Sequence, residues 1–189
     1  MVSTMVTARN AMPRNGSTSD AERRRAILDA ALACFSRFGY AKTSLDDIAR
    51  HANLSRPLLY RKYRNKEDIF SAVYDDVFET RYPTAEQILA GRGSRRARLL
   101  RIYEIMCVEP WALVRGAPMA QEFYDACLRV TPELHAEHER KLLELTRSLV
   151  GSREAAQVLM LAVDGLFVDL PSVPVLRKRL RVLIDRFAP

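Results

Sequence analysis

The chain has 189 residues, is 48% hydrophobic and 28% charged, and carries a formal net charge of +7. A chain of that length buries enough surface to hold a core without disulfides or metal. Its three cysteines, Cys34, Cys107 and Cys127, are far apart, make no C-x-x-C pair and fit a reducing compartment. No apolar run reaches the ~18 residues that cross a bilayer, and the N-terminus lacks a signal-peptide core, so a cytoplasmic protein without a membrane partner is expected. The charge is uneven. Residues 1–66 hold 13 Lys+Arg against 5 Asp+Glu, whereas residues 67–189 hold 17 against 18. Such asymmetry points to a polyanion, with a plain solubility feature as the alternative.

Residues 1–18 have no period and are rich in Ser, Thr, Asn, Gly and Pro, the composition of a disordered tail. Ser19 followed by Glu22 is a capping box, which starts a helix near Asp20. Its apolar stripe runs through Ile27, Ala31, Cys34, Phe35 and Phe38, and Gly39 stands where a left-handed C-cap is wanted. Thr43 with Asp46 is a second N-cap signal. Leu45, Ile48, Ala49 and Ala52 then form the inner face of a helix of about two turns, which Asn53 ends. Leu54 plugs inward. Ser55, able to bond the amide of Leu58, caps a third helix with Pro57 in its first turn. Pro57 disfavours helical geometry at Arg56.

Short helix, tight turn, short helix is the helix-turn-helix layout, whose second helix enters the DNA major groove. Here that helix lies in LSRPLLYRKY, residues 54–63. Leu59 and Tyr63 share its inner face with Leu58 near the edge, which leaves Arg56, Tyr60, Arg61 and Lys62 outward. Arginine can bond guanine O6 and N7 together. Lysine and the tyrosine hydroxyl reach phosphate oxygens, which position a protein without reading sequence. Lys42, Lys66 and the helix start at Asn65 can do the same at the edges. The alternative is a solvated basic face, disfavoured by the capped helix, the turn and the charge asymmetry taken together.

The helix from Asn65 runs through Ile69, Val73, Val77 and Phe78 to an end or kink at Pro83. Gly91 and Gly93 mark a loop. Residues 95–108 form a helix with Leu99, Leu100, Ile102, Tyr103 and Met106 inside, and Pro110, Gly116 and Pro118 break the next stretch. Pro132 opens a long helix through Leu142, Leu145 and Leu149 to Gly151. Residues 153–170 are apolar in nearly every direction and need cover on all sides. A second subunit is the expected cover and intrachain burial the alternative. In that dimer interface Leu159, Val163 and Leu166 join the stripe Leu176, Leu180, Leu183, Ile184 and Phe187 of the last helix.

Tyr103, Met106, Trp111, Met119, Phe123, Tyr124, Met160 and Phe167 suit an apolar ligand pocket and suit a core equally well. Asp164 is the odd polar residue in its helix, placed either to bind a polar ligand group or to cap a partner across the dimer. His135 and His138 could bind a metal but miss the H-E-x-x-H spacing, so a solvated helix face is expected. No G-x-S-x-G, Walker or dinucleotide glycine motif is present, so neither enzyme activity nor a cofactor is expected. Cys34 reads as a small core hydrophobe, and nothing marks Cys107 or Cys127 as a reactive thiol.

Residues 23–74 carry AILDAALACFSRFGY, then TSLDDIA, LSRPLLYRKY and NKEDIF, in order and without gaps. This run resembles the DNA-binding domain of the TetR family of bacterial transcription regulators. The resemblance implies that Tyr60 contacts phosphate, that Lys66 grips the DNA backbone and that Arg56 and Arg61 approach base edges. It also implies that Thr43 and Ser44 sit near phosphate. The chain departs from the family pattern at Pro57-Leu58, where many relatives have Gly-Thr. Leu58 cannot replace the threonine hydroxyl, though its side chain suits a thymine methyl. Tyr63 stands where Phe is common.

The expected protein is all-α with about nine helices. It has a tail (1–18), a three-helix helix-turn-helix DNA-binding domain (19–66) and a helical effector-binding and dimerisation domain (67–189). The expected function is a DNA-binding transcriptional regulator, a repressor by family habit, that holds a palindromic operator as a homodimer and is released by a small apolar effector. A ligand-independent dimeric DNA-binding protein is the alternative. The expected DNA contacts are Lys42, Thr43, Ser44, Ser55, Arg56, Leu58, Tyr60, Arg61, Lys62 and Lys66.

Overall fold

Ser19 and Glu22 bond each other's backbone amides through their side chains and so fix the start of α1 (Asp20–Phe38). The computed structural model describes residues 19–188, and the expected tail lies outside the described residues. Gly39 follows α1 at φ +87° and ψ 156°, a positive-φ conformation that glycine adopts without strain. The next cap falls one residue later than expected. Ser44, with Asp47 completing the box, opens α2 (Leu45–His51). Thr43 is buried instead, and its hydroxyl donates to the Gly39 carbonyl at 2.7 Å.

Asn53, at φ +52°, turns the chain into α3 (Arg56–Lys62). Ser55 holds the N-cap position but its hydroxyl makes no capping bond; the Leu58 amide donates to the Ser55 carbonyl at 3.0 Å. Arg56 is helical despite the proline that follows it. Leu59 is fully buried in the same core as Phe35, Leu45 and Ile48, which fixes the inner face of α3.

The chain continues through α4 (Lys66–Glu79), capped by the Asn65 side chain, and α5 (Tyr82–Ala90). Next come α6 (Arg95–Tyr103), a π-helical turn (Glu104–Val108) and α7 (Glu109–Val114). The last four are α8 (Ala120–Val130), α9 (Pro132–Val150), α10 (Arg153–Gly165) and α11 (Val173–Phe187). Nine rods result if the α4–α5 kink and the π turn are each counted as a break within one rod, and the described residues contain no strand. α10 stops at Gly165 rather than at 170, and Leu170 sits at φ +50° in the turn beyond it.

One continuous core runs from Ile27 to Ala188. It absorbs most of the expected dimer face. Leu159, Val163, Leu176, Leu180 and Ile184 are buried within the single chain, and Leu166, Leu183 and Phe187 are half-buried against them. A helix that is apolar all round does not say which face its own chain takes. Here α9, α11 and α6 take the Leu159 and Leu180 sides. The apolar residues left outside are Val158, Leu161, Val168, Val175 and Val182, with Leu161 72% and Val168 83% exposed.

α1 packs against α2, α4 and α8, so the first three helices are joined to the rest along two surfaces. Arg24 and Arg25 of α1 converge on Asp76 of α4 at 2.8 and 2.7 Å. On the other side, the Glu122 carboxylate of α8 accepts from the amides of Tyr40 (2.8 Å) and Ala41 (3.0 Å) in the α1–α2 turn. The carbonyls of the same two residues accept from Lys66 Nζ at 2.9 and 3.3 Å, and the Tyr40 hydroxyl donates to Glu67 at 2.6 Å. A Cβ at Gly39 would overlap the Glu122 carboxylate. Gly39→Ala combines strain at positive φ with displacement of that carboxylate, and should cost about 2 kcal/mol or more of stability. Urea unfolding measures it; an unchanged midpoint would mean that the turn is held by other contacts.

Candidate functional site

The outward face of α3 is smaller than its composition suggests. Tyr60 is 51% exposed and Arg61 is exposed, and neither has a hydrogen-bond or ion-pair partner among the described residues. Lys42, in the α1–α2 turn, is exposed and unpaired in the same sense. Arg56 pairs with Asp46 of α2 at 2.9 Å. Both side chains are partly exposed, so the pair is weak and the guanidinium is free to exchange partners. The Ser55 hydroxyl is exposed, and Leu58 is half-buried at the edge.

Four expected contact residues are placed differently. Lys62 turns back to Asp20 of α1 at 2.5 Å, with only a quarter of its side chain exposed. Lys66 commits two of its three N–H groups to the Tyr40 and Ala41 carbonyls and lies 4.4 Å from the Tyr40 ring centroid, so it braces the turn first. Thr43 is buried and bonded to Gly39, which removes its hydroxyl from any phosphate. Ser44 remains exposed but its hydroxyl is held by Asp47 at 2.5 Å.

A cavity of about 180 Å³ opens among α4, α7, α8, α9 and α10. Of the residues named for a pocket, Met106, Trp111, Phe123, Tyr124, Met160, Asp164 and Phe167 line it. Tyr103 and Met119 do not. Tyr103 is fully buried behind the wall and shares a 2.9 Å hydrogen bond with Thr146. Met119 sits beneath Gly39, its amide donating to the Ser36 carbonyl at 3.0 Å. Phe167 meets Trp111 edge to face at 5.5 Å and stacks on Tyr124 at 6.4 Å. Trp111 Nε1 donates to the Pro171 carbonyl, which holds the indole in place.

The polar lining comprises Asp164, Glu139, His135 and His138. Desolvation raises the Asp164 pKa, the nearby Glu139 charge raises it further, and His135 works against both. Nδ1 of His135 lies 2.7 Å from the Tyr74 hydroxyl. His138 is only 4% exposed, among the rings of Tyr74, Phe78 and Tyr82, so the expected solvated face is corrected for this residue. Burial is also the chief reason that its pKa lies below the ordinary imidazole value. Cys107 and Cys127 line the cavity too, and burial pushes both thiols up to about 12, leaving them protonated and unreactive. Tyr74, Tyr82, His135 and His138 were not among the expected pocket residues. Their periodicity on α4, α5 and α9 marks an inner face but not a void behind it.

Residues 27–73 match the family model described as bacterial regulatory proteins, tetR family. The chain is 38% identical over 64 residues to the transcriptional regulator AcrR of Shigella flexneri, covering 34% of this chain and 30% of that protein. It is 40% identical over 52 residues to IcaR of Staphylococcus epidermidis, described as a negative transcriptional regulator of a biofilm operon, covering 28% of each. The chain thus spans only 28% to 49% of the length of these and the other curated relatives it matches. Among solved structures, a TetR-like transcriptional regulator from Rhodococcus sp. RHA1 aligns over 93% of this chain and 97% of its own, at 25% identity and a TM-score of 0.60.

Proposed function

We propose, from the premise that the chain belongs to the TetR family of bacterial regulatory proteins, that it is a DNA-binding transcriptional repressor acting as a homodimer on a palindromic operator. The observation that carries this reading is the free outward face of α3, where Tyr60 and Arg61 stand on the second short helix of a capped helix-turn-helix. In this reading Arg61 and Arg56 read base edges, while Tyr60, Lys42, Ser55 and the remaining donor of Lys66 hold phosphates, and Ser44, both of whose donors are spent on Asp47, holds none. Leu58 is left for a thymine methyl. The description of IcaR as a negative regulator favours repression over activation. No helix among the described residues is long and apolar enough to cross a membrane, which agrees with a cytoplasmic site of action.

The cavity supports release by a small effector over the ligand-independent alternative. At about 180 Å³ it compares with an engineered apolar cavity of ~150 Å³ that binds benzene. A compact aromatic ligand fits, with a hydrogen-bond donor toward Asp164 or Glu139. Helix α8 offers a route to the DNA side, since Phe123, Tyr124 and Cys127 line the cavity while Glu122 holds the α1–α2 turn. Coupling requires the ligand to favour one position of α8 over another.

Dimerisation is assigned to the exposed stripe Val158, Leu161, Val168, Val175 and Val182 in place of the residues expected from sequence. Large apolar side chains left exposed on α10, α11 and the turn between them suit an interaction surface, and two recognition helices related by a two-fold axis suit a palindrome.

Selection of tight binders from random duplex DNA tests the main reading. A palindrome should emerge, and Arg61→Ala should relax one base position by about 1–3 kcal/mol. Lys42→Ala should instead weaken all sequences alike and flatten the salt dependence. Salt-sensitive binding with no sequence enrichment would overturn the regulator reading. Leu161→Asp should convert the dimer to monomer in sedimentation; a dimer that survives this change has its interface elsewhere. In a Glu122→Ala chain, single-ring aromatics that release the unaltered protein from its operator should lose that effect while still binding. Equal release from both proteins would place the coupling on another contact.

A further inference from the structure

Nε2 of His138 is buried without a hydrogen-bond partner, in a side chain only 4% exposed. It faces Asp75 Oδ1 of α4 at 3.3 Å. Glu79 lies one helical turn further along α4, and donor atoms of Asp75, Glu79 and His138 all fall within 4.8 Å of one another. We propose that these three side chains form a binding site for a first-row divalent transition-metal ion, clamping α4 to α9 beside the cavity.

The imidazole is held as a metal-binding histidine needs to be. Its ring lies among Tyr74, Phe78 and Tyr82, with centroid distances of 5.6, 4.8 and 5.7 Å. The Tyr82 oxygen is 3.0 Å from Nδ1 and 3.3 Å from the carbonyl of His138. If the phenol donates to that carbonyl, Nδ1–H donates to the phenol oxygen and the lone pair falls on Nε2, toward the two carboxylates. A metal-ligating histidine commonly donates its other N–H in this way, which fixes tautomer and ring orientation.

The donor set selects the ion. One imidazole nitrogen and two carboxylates suit Zn²⁺, Co²⁺, Ni²⁺ or Mn²⁺; a thiolate-seeking ion has no sulfur here, and the hard Mg²⁺ or Ca²⁺ gains nothing from the nitrogen. Three protein ligands leave an open position for water. Ligand arms of ~2.0–2.2 Å bring donor atoms closer together than they stand here. Asp75 and Glu79 are 41% and 46% exposed, so both carboxylates have room to swing in. Glu79 is now held by Lys141 at 2.6 Å, but Glu137 already contacts the same ammonium at 3.1 Å and keeps it when Glu79 turns to the ion. His135 takes no part, because its Nδ1 faces Tyr74 and its Nε2 faces Glu139 at 3.4 Å. The site thus differs from the His135–His138 pair that the sequence suggests, and it stands whether or not the chain binds DNA.

Equilibrium dialysis of the full chain against Zn²⁺, with Co²⁺ as a spectroscopic probe and thermal unfolding as a second readout, tests the site. One saturable ion per chain with a raised Tm is expected. Because His138 is buried, the informative variants are on the exposed carboxylates. Asp75→Asn and Glu79→Gln should each weaken binding at least tenfold and abolish the rise in Tm. Lys141→Met removes the competing cation and should tighten binding. Absence of saturable binding overturns the proposal. So does unaltered affinity in both carboxylate variants, which would place the ion elsewhere on the chain.

Discussion

The Glu122 carboxylate is the contact on which the arrangement of the molecule turns. Two backbone amides of the α1–α2 turn point at it, and hydrogen bonds from amides to an ionised acceptor are among the stronger ones available to a protein. Beyond these, the Gly39 amide donates to Phe35 and the Thr43 amide and hydroxyl donate to Gly39, which closes the turn on itself and on α1. It is too short to be helical, and Gly39 bends it through a conformation that brings its amides to the α8 side. Lys66 closes the opposite side by taking the two carbonyls. The turn is thus held by a negative group on its N–H side and a positive group on its C=O side, which aligns with the peptide dipoles. The first comes from α8 at the cavity and the second from the start of α4, so the position of α2 and α3 depends on both.

This arrangement explains why some cations on the basic third do not face outward. A charge in the sequence becomes an available charge only after the local carboxylates have taken their share. Asp20, Asp46, Asp47 and Asp68 take Lys62, Arg56, Arg50 and Arg64. These are surface pairs and individually weak. Together they order the side chains around Arg61 and Tyr60, leaving those two clear.

Much of the fold was legible because its signals are local. Ser19 with Glu22, Pro132 at a helix start and Gly151 at a helix end act within one turn of chain. The second cap shows the limit. TSLDD offers both Thr43–Asp46 and Ser44–Asp47, and burial of Thr43 under Gly39 decides between them. The failures are all tertiary. Leu159 and Leu161 are alike as letters, yet one is fully buried and the other 72% exposed, because only the packing of α9 and α11 defines an inside. The same holds for the pocket. Tyr103 and Trp111 look equivalent, but a Thr146 hydroxyl draws one behind the wall while the Pro171 carbonyl holds the other at the void. His138 was hidden by its neighbours in LHAEHE, whose polarity reads as a solvated face, although His135, His138 and Glu139 of that stretch all line the cavity and His138 is buried.

The π-helical turn between α6 and α7 has a consequence for how the cavity can vary. Its closing bond runs from the Glu109 amide to the Glu104 carbonyl, one residue wider than an α-helical bond. A turn of this kind is one residue inserted into a continuous helix, with the helix on either side keeping its phase. Deleting a single residue between Glu104 and Val108 would therefore leave a plain α-helix, with Leu99 and Ile102 still on the core and Trp111 and Val114 still on the cavity. What would change is the short stretch presenting Met106 and Cys107. The chain thus carries a place where an insertion or deletion, usually ruinous within a helix, alters the wall of the cavity and little else.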